Sequence, residues 1–489
     1  MTTTQYDTVI LGGGPSGIAA ALRMKKKGHH VLLVEKNEKI GGKLDAFEWE
    51  GYRWDKGPSL FTLPNLVNEL FELFDKDPKD YFDFHTLDEN CRYHFSDGTH
   101  FIFYKNPEKR KASLSPYFSE GEIERLEEYL REISKSYEAI GELFIAAPKR
   151  GFKEMLSPDI LKQYPRFLSS QMLFSLNRYN EKMLKNEKLV QVFNRFGTYN
   201  GSNPYVMSGL YSMIPHLELN VGTFFPKGGM RAIIDSLTRL LLEVGVDVKY
   251  EEDQTKLEKT EEGYITHLKK EQVSSKNFIC AIDHINFYKY VFPDAQMVEK
   301  YSKEERSLSA LVFYWAVEGD FPEIGLHNIL FAENYKAEFD HLFLEHKFYH
   351  DPTVYIHNSS AVEKQDAPEG CQNWFVMINA PAGNQPSEAK LNELRSIIQA
   401  KIQKALSIDI KNKIQFEDHW DMQRIERITG SHTGSLYGAA FNSKTASFSR
   451  HANHSKKHKN MYFVGGSVHP GGGIPLVLNS AKIVDKLIG

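Results

Sequence analysis

Cysteine is scarce in this chain: three residues among 489, Cys91, Cys280 and Cys371, far apart and in no pattern. That excludes a disulfide scaffold and a cysteine-based metal centre, and it fits a reducing cytosol. Long hydrophobic runs are lacking as well. The longest, over 308–317, is about half the ~20 apolar residues a spanning helix needs, and mean hydropathy is −0.44. Neither charge sign dominates, since 60 Lys and Arg face 64 Asp and Glu for a net −4, without a long basic run. A nucleic-acid partner is therefore not expected. The opening Met1-Thr2-Thr3-Thr4-Gln5-Tyr6-Asp7 carries neither a basic nor an apolar leader segment, so a cytoplasmic location is expected. Repeats and low-complexity tracts are absent, and no metal is expected.

What is present reads as an ordinary globular composition, 41% hydrophobic and 25% charged, too long for one compact core. The chain opens with an apolar run over 7–11, glycines at 12, 13, 14 and 17, a helix over 18–27 stopped by Gly28, and a second run over 31–34. Continuous rather than alternating apolarity marks strands buried on both faces, as in a parallel sheet. A hairpin is expected over 93–104 around Asp97-Gly98. From 122 the apolar residues recur every three or four positions, and helical patterns persist to about 211. A helix over 231–243 and strands over 246–250, 277–282, 311–317 and 374–378 follow. Residues 461–489 repeat the order strand, glycine turn, helix. The expected organisation is a nucleotide-binding domain assembled from 1–75, 221–290 and 431–489. Between its pieces lie a substrate region with a helical insertion (76–220) and its sheet part (291–430).

The sharpest motif is Gly12-x-Gly14-x-x-Gly17 between strand and helix, with Glu35 ending the next strand. Gly12 allows the tight turn, Gly14 lets a pyrophosphate approach the backbone, and Gly17 allows helix and strand to pack closely. The helix N-terminus offers N–H donors, and Glu35 stands where a ribose diol is bound. A lone glycine fingerprint is weak, but strand, helix and acid in register make a dinucleotide site. Ile40-Gly41-Gly42-Lys43 follows; such a glycine pair after the ribose acid is typical of FAD proteins of the amine-oxidase type. Lys43, a point charge where arginine is commoner, is expected near the diphosphate. Near the end, Val464-Gly465-Gly466-Ser467-Val468-His469-Pro470-Gly471-Gly472-Gly473-Ile474-Pro475 leads into a helix, whose positive end can face a reduced flavin. Successive glycines are entropically costly unless backbone must come close to something.

The stretch His469-Pro470-Gly471-Gly472-Gly473-Ile474-Pro475 resembles the C-terminal signature of the bacterial-type phytoene desaturases, which include carotenoid desaturases and isomerases. Asp55-Lys56-Gly57-Pro58-Ser59, Phe225-Pro226-Lys227-Gly228-Gly229-Met230 and Arg195-Phe196-Gly197-Thr198-Tyr199-Asn200-Gly201-Ser202-Asn203-Pro204-Tyr205 are similar to further motifs of that family. The matches span nearly the whole chain. The resemblance implies an α/β plus α fold: a Rossmann-like FAD domain of discontinuous segments, with an inserted mixed sheet and a helical, membrane-associating substrate domain. It implies FAD bound at Gly12, Gly14, Gly17, Glu35, Lys43, Gly57, Pro58, Ser59, Leu60, Val248, Asp283, Gly466, Ser467, Gly473 and Ile474. Val468 and Ala481 depart from the commoner threonine and glycine.

The implied reaction removes a hydride, which a flavin accepts, and a proton from a C–C bond beside a polyene. The region from Pro215-His216-Leu217-Glu218 to Phe225 is similar to desaturases of the 3',4' bond in 1'-hydroxylated acyclic ends. Phytoene desaturation and carotene isomerisation are the nearest alternatives. Amine or porphyrinogen oxidation and a non-catalytic prenyl-protein chaperone are more distant ones. The expected partners are a carotenoid, a membrane surface and an electron acceptor such as oxygen or a quinone. Asp55 and His469 are the candidates for proton transfer, although a hydrogen-bonded loop imidazole is the favoured role for His469 and Asp55 can simply hold the loop that reaches Pro58. The stretch 162–185 mixes Phe167, Leu168, Met172, Leu176 and Tyr179 with Arg166, Arg178 and Lys182. It has the make-up of a basic amphipathic helix on an anionic membrane, although most such helices pack on a core.

Overall fold

In the computed structural model, residues 4–145, 170–443 and 450–489 are described. The first sheet is drawn from three distant parts of the chain. Its spatial order is Lys256–Lys259, Tyr264–His267, Gln272–Cys280, Thr4–Leu11, Val31–Val34, Asp247–Lys249, with Met461–Phe463 also beside Gln272–Cys280. Thr4–Leu11 runs parallel to both neighbours, pairing Leu11 with Cys280 on one side and with Val34 on the other. The carboxyl ends of these strands therefore converge on one rim, where ligands bind in open parallel sheets. The central stretches 9–11, 31–34 and 278–280 are apolar and buried, and the helices Pro15–Lys26, Arg231–Glu243 and Ile474–Ile488 cover one face through Ile18, Leu22, Ile233, Leu237, Leu478 and Val484.

The structure extends the expected strand over 277–282 back to Gln272 and ends it at Cys280. The added half alternates exposed and buried residues because it pairs antiparallel with Tyr264–His267 near the sheet edge. Helix Pro15–Lys26 starts three residues before the expected 18, with Pro15 in its first turn, where a missing N–H costs nothing.

The second sheet has the order Ile414–Trp420, Ser309–Glu318, Cys371–Ala380, Val354–Asn358, His327–Leu330, Glu89–His94, His100–Tyr104. All its pairs are antiparallel except His327–Leu330 with Glu89–His94. Period-two alternation splits its residues between two faces. Leu311, Phe313, Trp315, Trp374, Val376 and Ile378 pack with Leu394, Ile398 and Ile402 of helix Glu388–Leu406. The opposite face carries Val312, His327, Ile329, Tyr355, Phe375 and Met377, and it forms a wall of the cavity described below.

A helical layer built on Glu120–Ile145, Leu176–Leu184 and Glu187–Asn194 closes the other side. The single amphipathic helix expected over 162–185 is not found in its described part. Residues 162–169 lie outside the described residues, and the remainder forms two helices, Ser170–Leu173 and Leu176–Leu184. Ser175 separates them by accepting a hydrogen bond from the Arg178 amide at 3.3 Å, an N-cap. Leu176, Tyr179 and Leu184 of the second helix are buried. No helix among the described residues is long and apolar enough to cross a membrane.

Candidate active site

One cavity of about 890 Å³ runs from the rim of the first sheet to the face of the second. At its first end the glycine turn is shaped by close contacts. A Cβ on Gly12, whose φ is +109°, would meet Ile282 Cγ2 at 2.8 Å, and one on Gly17 would lie 1.9 Å from the Gly12 carbonyl oxygen. Gly14 is different: a Cβ there would meet nothing within 4 Å, so this bare stretch of backbone faces the cavity. The helix that follows has neither a side-chain cap nor an acidic residue in its first turn. Its free N–H groups form a site for an anion.

Glu35 is buried at the end of Val31–Val34. Its Oε2 accepts from the Gly13 amide at 2.7 Å, and Oε1 accepts from the Asn37 amide at 2.9 Å and Asn37 Nδ2 at 2.8 Å. The carboxylate thus fixes the glycine turn as well as the next loop, and retains lone pairs for a diol. The Lys43 ammonium donates to the Leu436 carbonyl. Loss of water around it lowers its pKa to about 8, against the opposing pull of Asp283. Asp283 caps the helical turn His284–Asn286 and pairs with Arg306 at 2.9 Å. Burial raises its pKa most strongly, but Arg306, His284, the Ile285 amide and His432 together outweigh that, and the net shift is downward.

At the centre, the Gly57-Pro58-Ser59 loop faces the glycine-rich loop before helix Ile474–Ile488. Gly57 is obligatory, because a Cβ would lie 2.1 Å from the Lys43 carbonyl oxygen. Gly473, at φ +107°, again leaves open space where a Cβ would stand, and the helix it begins has no side-chain cap. Arg450, buried, donates to the carbonyls of Tyr437, Ala439 and Gly466 and so holds the loop. Ser467 Oγ accepts from the His284 amide at 3.3 Å.

The residues fit FAD: two uncapped helix ends, two bare glycine faces and a positioned carboxylate line one continuous cavity. Residues 15–293 match the flavin-containing amine oxidoreductase family. The chain belongs to that family. This flavin-containing oxidoreductase has FAD as its cofactor. It is 43% identical over 485 residues, 98% of each chain, to 1-hydroxycarotenoid 3,4-desaturase from a Flavobacterium species. It is 25% identical to carotenoid 3,4-desaturase of Haloarcula japonica, covering 97% of this chain and 96% of the relative. Against 4,4'-diaponeurosporene oxygenase of Staphylococcus haemolyticus the identity is 28%, covering 99% and 97%. Among solved structures, putrescine oxidase bound to putrescine superposes with a TM-score of 0.66 at 13% identity, covering 100% of this chain and 99% of that one. A fatty acid isomerase from P. acnes gives 0.61 at 14% identity, covering 99% of each. These last two likenesses concern the fold alone.

Most of the cofactor residues named from sequence lie on the wall of the oxidoreductase's cavity: Gly12, Gly14, Glu35, Lys43, Gly57, Pro58, Ser59, Leu60, Asp283, Gly466, Ser467, Gly473 and Ile474. Gly17 does not, because its role is the close packing described above. Val248 does not either. It pairs with Leu33 of the neighbouring strand Val31–Val34 and packs against the core, while Glu252 and Thr255, past the strand end, reach the cavity. Lys43 lines the cavity with its ammonium on the Leu436 carbonyl. Asp55 is off the cavity wall. Its carboxylate accepts from the Met230 and Arg231 amides at 2.9 and 3.2 Å and from Arg53 at 2.7 Å, anchoring the start of helix Arg231–Glu243. His469 does line the cavity, and its backbone amide donates to the His451 carbonyl at 3.0 Å. Sequence reasoning missed Arg450 and the polar groups of the second sheet, Tyr355 and His327; no motif marks them. Among the described residues, no His, Cys, Asp or Glu group could hold a metal.

Proposed function

We propose that this oxidoreductase is a carotenoid desaturase acting on the 3',4' bond of a 1'-hydroxylated acyclic end. The single observation that carries this reading is the full-length likeness to the Flavobacterium 1-hydroxycarotenoid 3,4-desaturase. The cavity supports it: beyond the Ser59 loop it is walled by Leu210, Met213, Ile214, Ile329, Phe375 and Phe441, a lining for a hydrocarbon chain. When bound, FAD supplies the acceptor for the hydride. The chain's residues do the rest. Gly14 with its helix, Glu35 and Gly473 hold the cofactor, and the second sheet aligns the polyene end and excludes water. Positive charge developing beside a polyene is delocalised, so the proton can leave without a strong base.

The test is anaerobic mixing of the FAD-loaded protein with lipid-dispersed carotenoids, one at a time, reading flavin bleaching and product mass. Bleaching and loss of two hydrogens with the 1'-hydroxylated substrate supports the reading. The same result with phytoene alone moves the assignment to that desaturase. Isomerisation without a mass change points to an isomerase. Silence from a yellow protein sends the search to amines and porphyrinogens.

A carotenoid comes from a bilayer, and we propose peripheral docking, with oxygen or a quinone as the final acceptor. Leu173 is 56% exposed beside Phe174, whose ring carries Arg178 and Lys182 at 4.8 and 5.5 Å; this basic, apolar spot supports docking. Flotation with anionic liposomes at low salt tests it, and a protein left at the bottom of the gradient overturns it.

A further inference from the structure

The apolar half of the cavity contains a charged cluster that neither hydride transfer nor FAD binding uses. Arg195, in the 3-10 turn Arg195–Asn200, and Glu218, in the turn Leu217–Val221, are buried and line the cavity together with Tyr199. Arg195 donates to Tyr199 Oη at 3.0 Å and to Tyr93 Oη at 2.9 Å. Tyr199 in turn donates to Glu218 Oε2. Glu218 Oε1 is left with only the approach of Arg195 Nη2 at 3.6 Å, and no hydrogen-bond donor reaches it among the described residues. Burial raises the Glu218 pKa, with Arg195 and Tyr199 opposing. A buried ion pair gives little net stability over apolar packing, so stability does not account for its place here.

Its position relative to the Ser59 loop fits a substrate contact. Tyr355 Oη bonds Ser59 Oγ at 2.7 Å and His327 Nδ1 at 2.8 Å, tying that loop to the second sheet. Tyr355 also feels the charges of Arg195 and Glu218. In a 1-hydroxylated end the oxygen-bearing carbon is separated from the 3,4 bond by a single carbon. A group that recognises the hydroxyl must therefore stand near the Ser59 loop rather than at the far end of the cavity.

We propose that Arg195, Tyr199 and Glu218 form the hydroxyl-recognition site of this enzyme, the substrate alcohol donating to Glu218 Oε1 while Arg195 and Tyr199 hold the carboxylate. The proposal rests on the desaturase reading above and adds to it the residues that set the preference. A site built to bond a hydroxyl rejects the analogue lacking one, because its own polar groups are then left unpaired.

The experiment compares kcat/KM for a 1-hydroxylated acyclic carotenoid with that for the same carotenoid without the hydroxyl. It uses the FAD-loaded wild type, Glu218→Gln, and the double variant Arg195→Met/Glu218→Leu. Both substrates are measured on one preparation, so loss of folded protein cancels in the ratio. The double variant removes both charges together and leaves neither buried alone. The expected result is a wild-type preference for the hydroxylated substrate. It should fall about tenfold in Glu218→Gln, as a charge-assisted bond becomes a neutral one, and vanish in the double variant. A wild type that desaturates the hydroxylated substrate with an unchanged ratio in both variants overturns the recognition site and leaves the desaturase reading standing. A wild type without preference overturns it equally. A wild type that desaturates neither substrate overturns both.

Discussion

Gly14 and Gly17 stand three residues apart in one turn, yet adding a methyl group to each should give opposite results. At Gly14 the backbone has φ −74° and ψ 176°, open to any residue, and a Cβ would meet nothing within 4 Å. Gly14→Ala should therefore leave the apoprotein as stable as the wild type, or more stable by about 0.4–1 kcal/mol through a less flexible unfolded chain. The same methyl projects to where the pyrophosphate must come within hydrogen-bond reach of backbone N–H groups, about 2.9 Å. Keeping the phosphate at van der Waals distance instead loses one or two charge-assisted bonds at about 1.5–3 kcal/mol each. That corresponds to roughly tenfold to ten-thousandfold weaker FAD binding. At Gly17 the methyl would lie 1.9 Å from the Gly12 carbonyl oxygen, more than 1 Å inside the 3.0 Å limit of real contacts. Gly17→Ala should break the packing of helix on strand and yield little soluble protein. The assay is FAD titration of the apoproteins by flavin fluorescence, with apoprotein melting temperatures alongside. A Gly14→Ala variant that binds FAD like the wild type, or that loses apoprotein stability, refutes the reasoning about the bare glycine face.

Two more outcomes can be checked. The Lys43 pKa near 8 lies below the ordinary lysine value of 10.5 because of desolvation. The unfolded chain therefore holds the extra proton between about pH 8 and 10, and this residue's contribution makes apoprotein stability rise over that window. FAD retention should move the opposite way, weakening as the ammonium discharges above pH 8, and Lys43→Met should flatten both trends. Released-flavin fluorescence and melting curves across about pH 6.5–10, a range that brackets the lowered lysine value, decide it. Asp55→Asn should destabilise the fold by about 1–3 kcal/mol by weakening the anchor of helix Arg231–Glu243. Its turnover per bound FAD should be unchanged; a fall in turnover with stability intact would return Asp55 to the reaction.

The parts legible in the sequence are those whose physics is local. The run ending at Leu11, the glycines and the helix follow one another directly, so the spacing alone implies the turn. The loop from Gly465 to Gly473 is legible for the same reason. Asp55 was opaque because the amides it binds lie 175 and 176 residues further along the chain. Val248 follows from the family resemblance alone: its side chain packs on the core, and no residue of Asp247–Lys249 lines the cavity, whose wall begins past the strand end at Glu252. The break at Ser175 was hidden because a serine reads as an ordinary polar residue on a helix until its hydroxyl is seen bonding the Arg178 amide. Arg195, Tyr199 and Glu218 sit in stretches that resemble family motifs, but nothing in their spacing reveals that they meet.

The first sheet has a consequence for how the protein comes into being. Thr4–Leu11 is flanked by Val31–Val34 at once, but Gln272–Cys280, on its other side, is synthesised much later, and Met461–Phe463 later still. At roughly 5–20 residues per second on the ribosome, the nascent half-sheet waits tens of seconds with an apolar edge open. If Gly473 and its helix hold FAD as proposed, the cofactor's site is still incomplete in that interval. Cofactor supply then cannot rescue the growing chain. Protection has to come from whatever holds the unfinished edge apart from its neighbours on the same messenger.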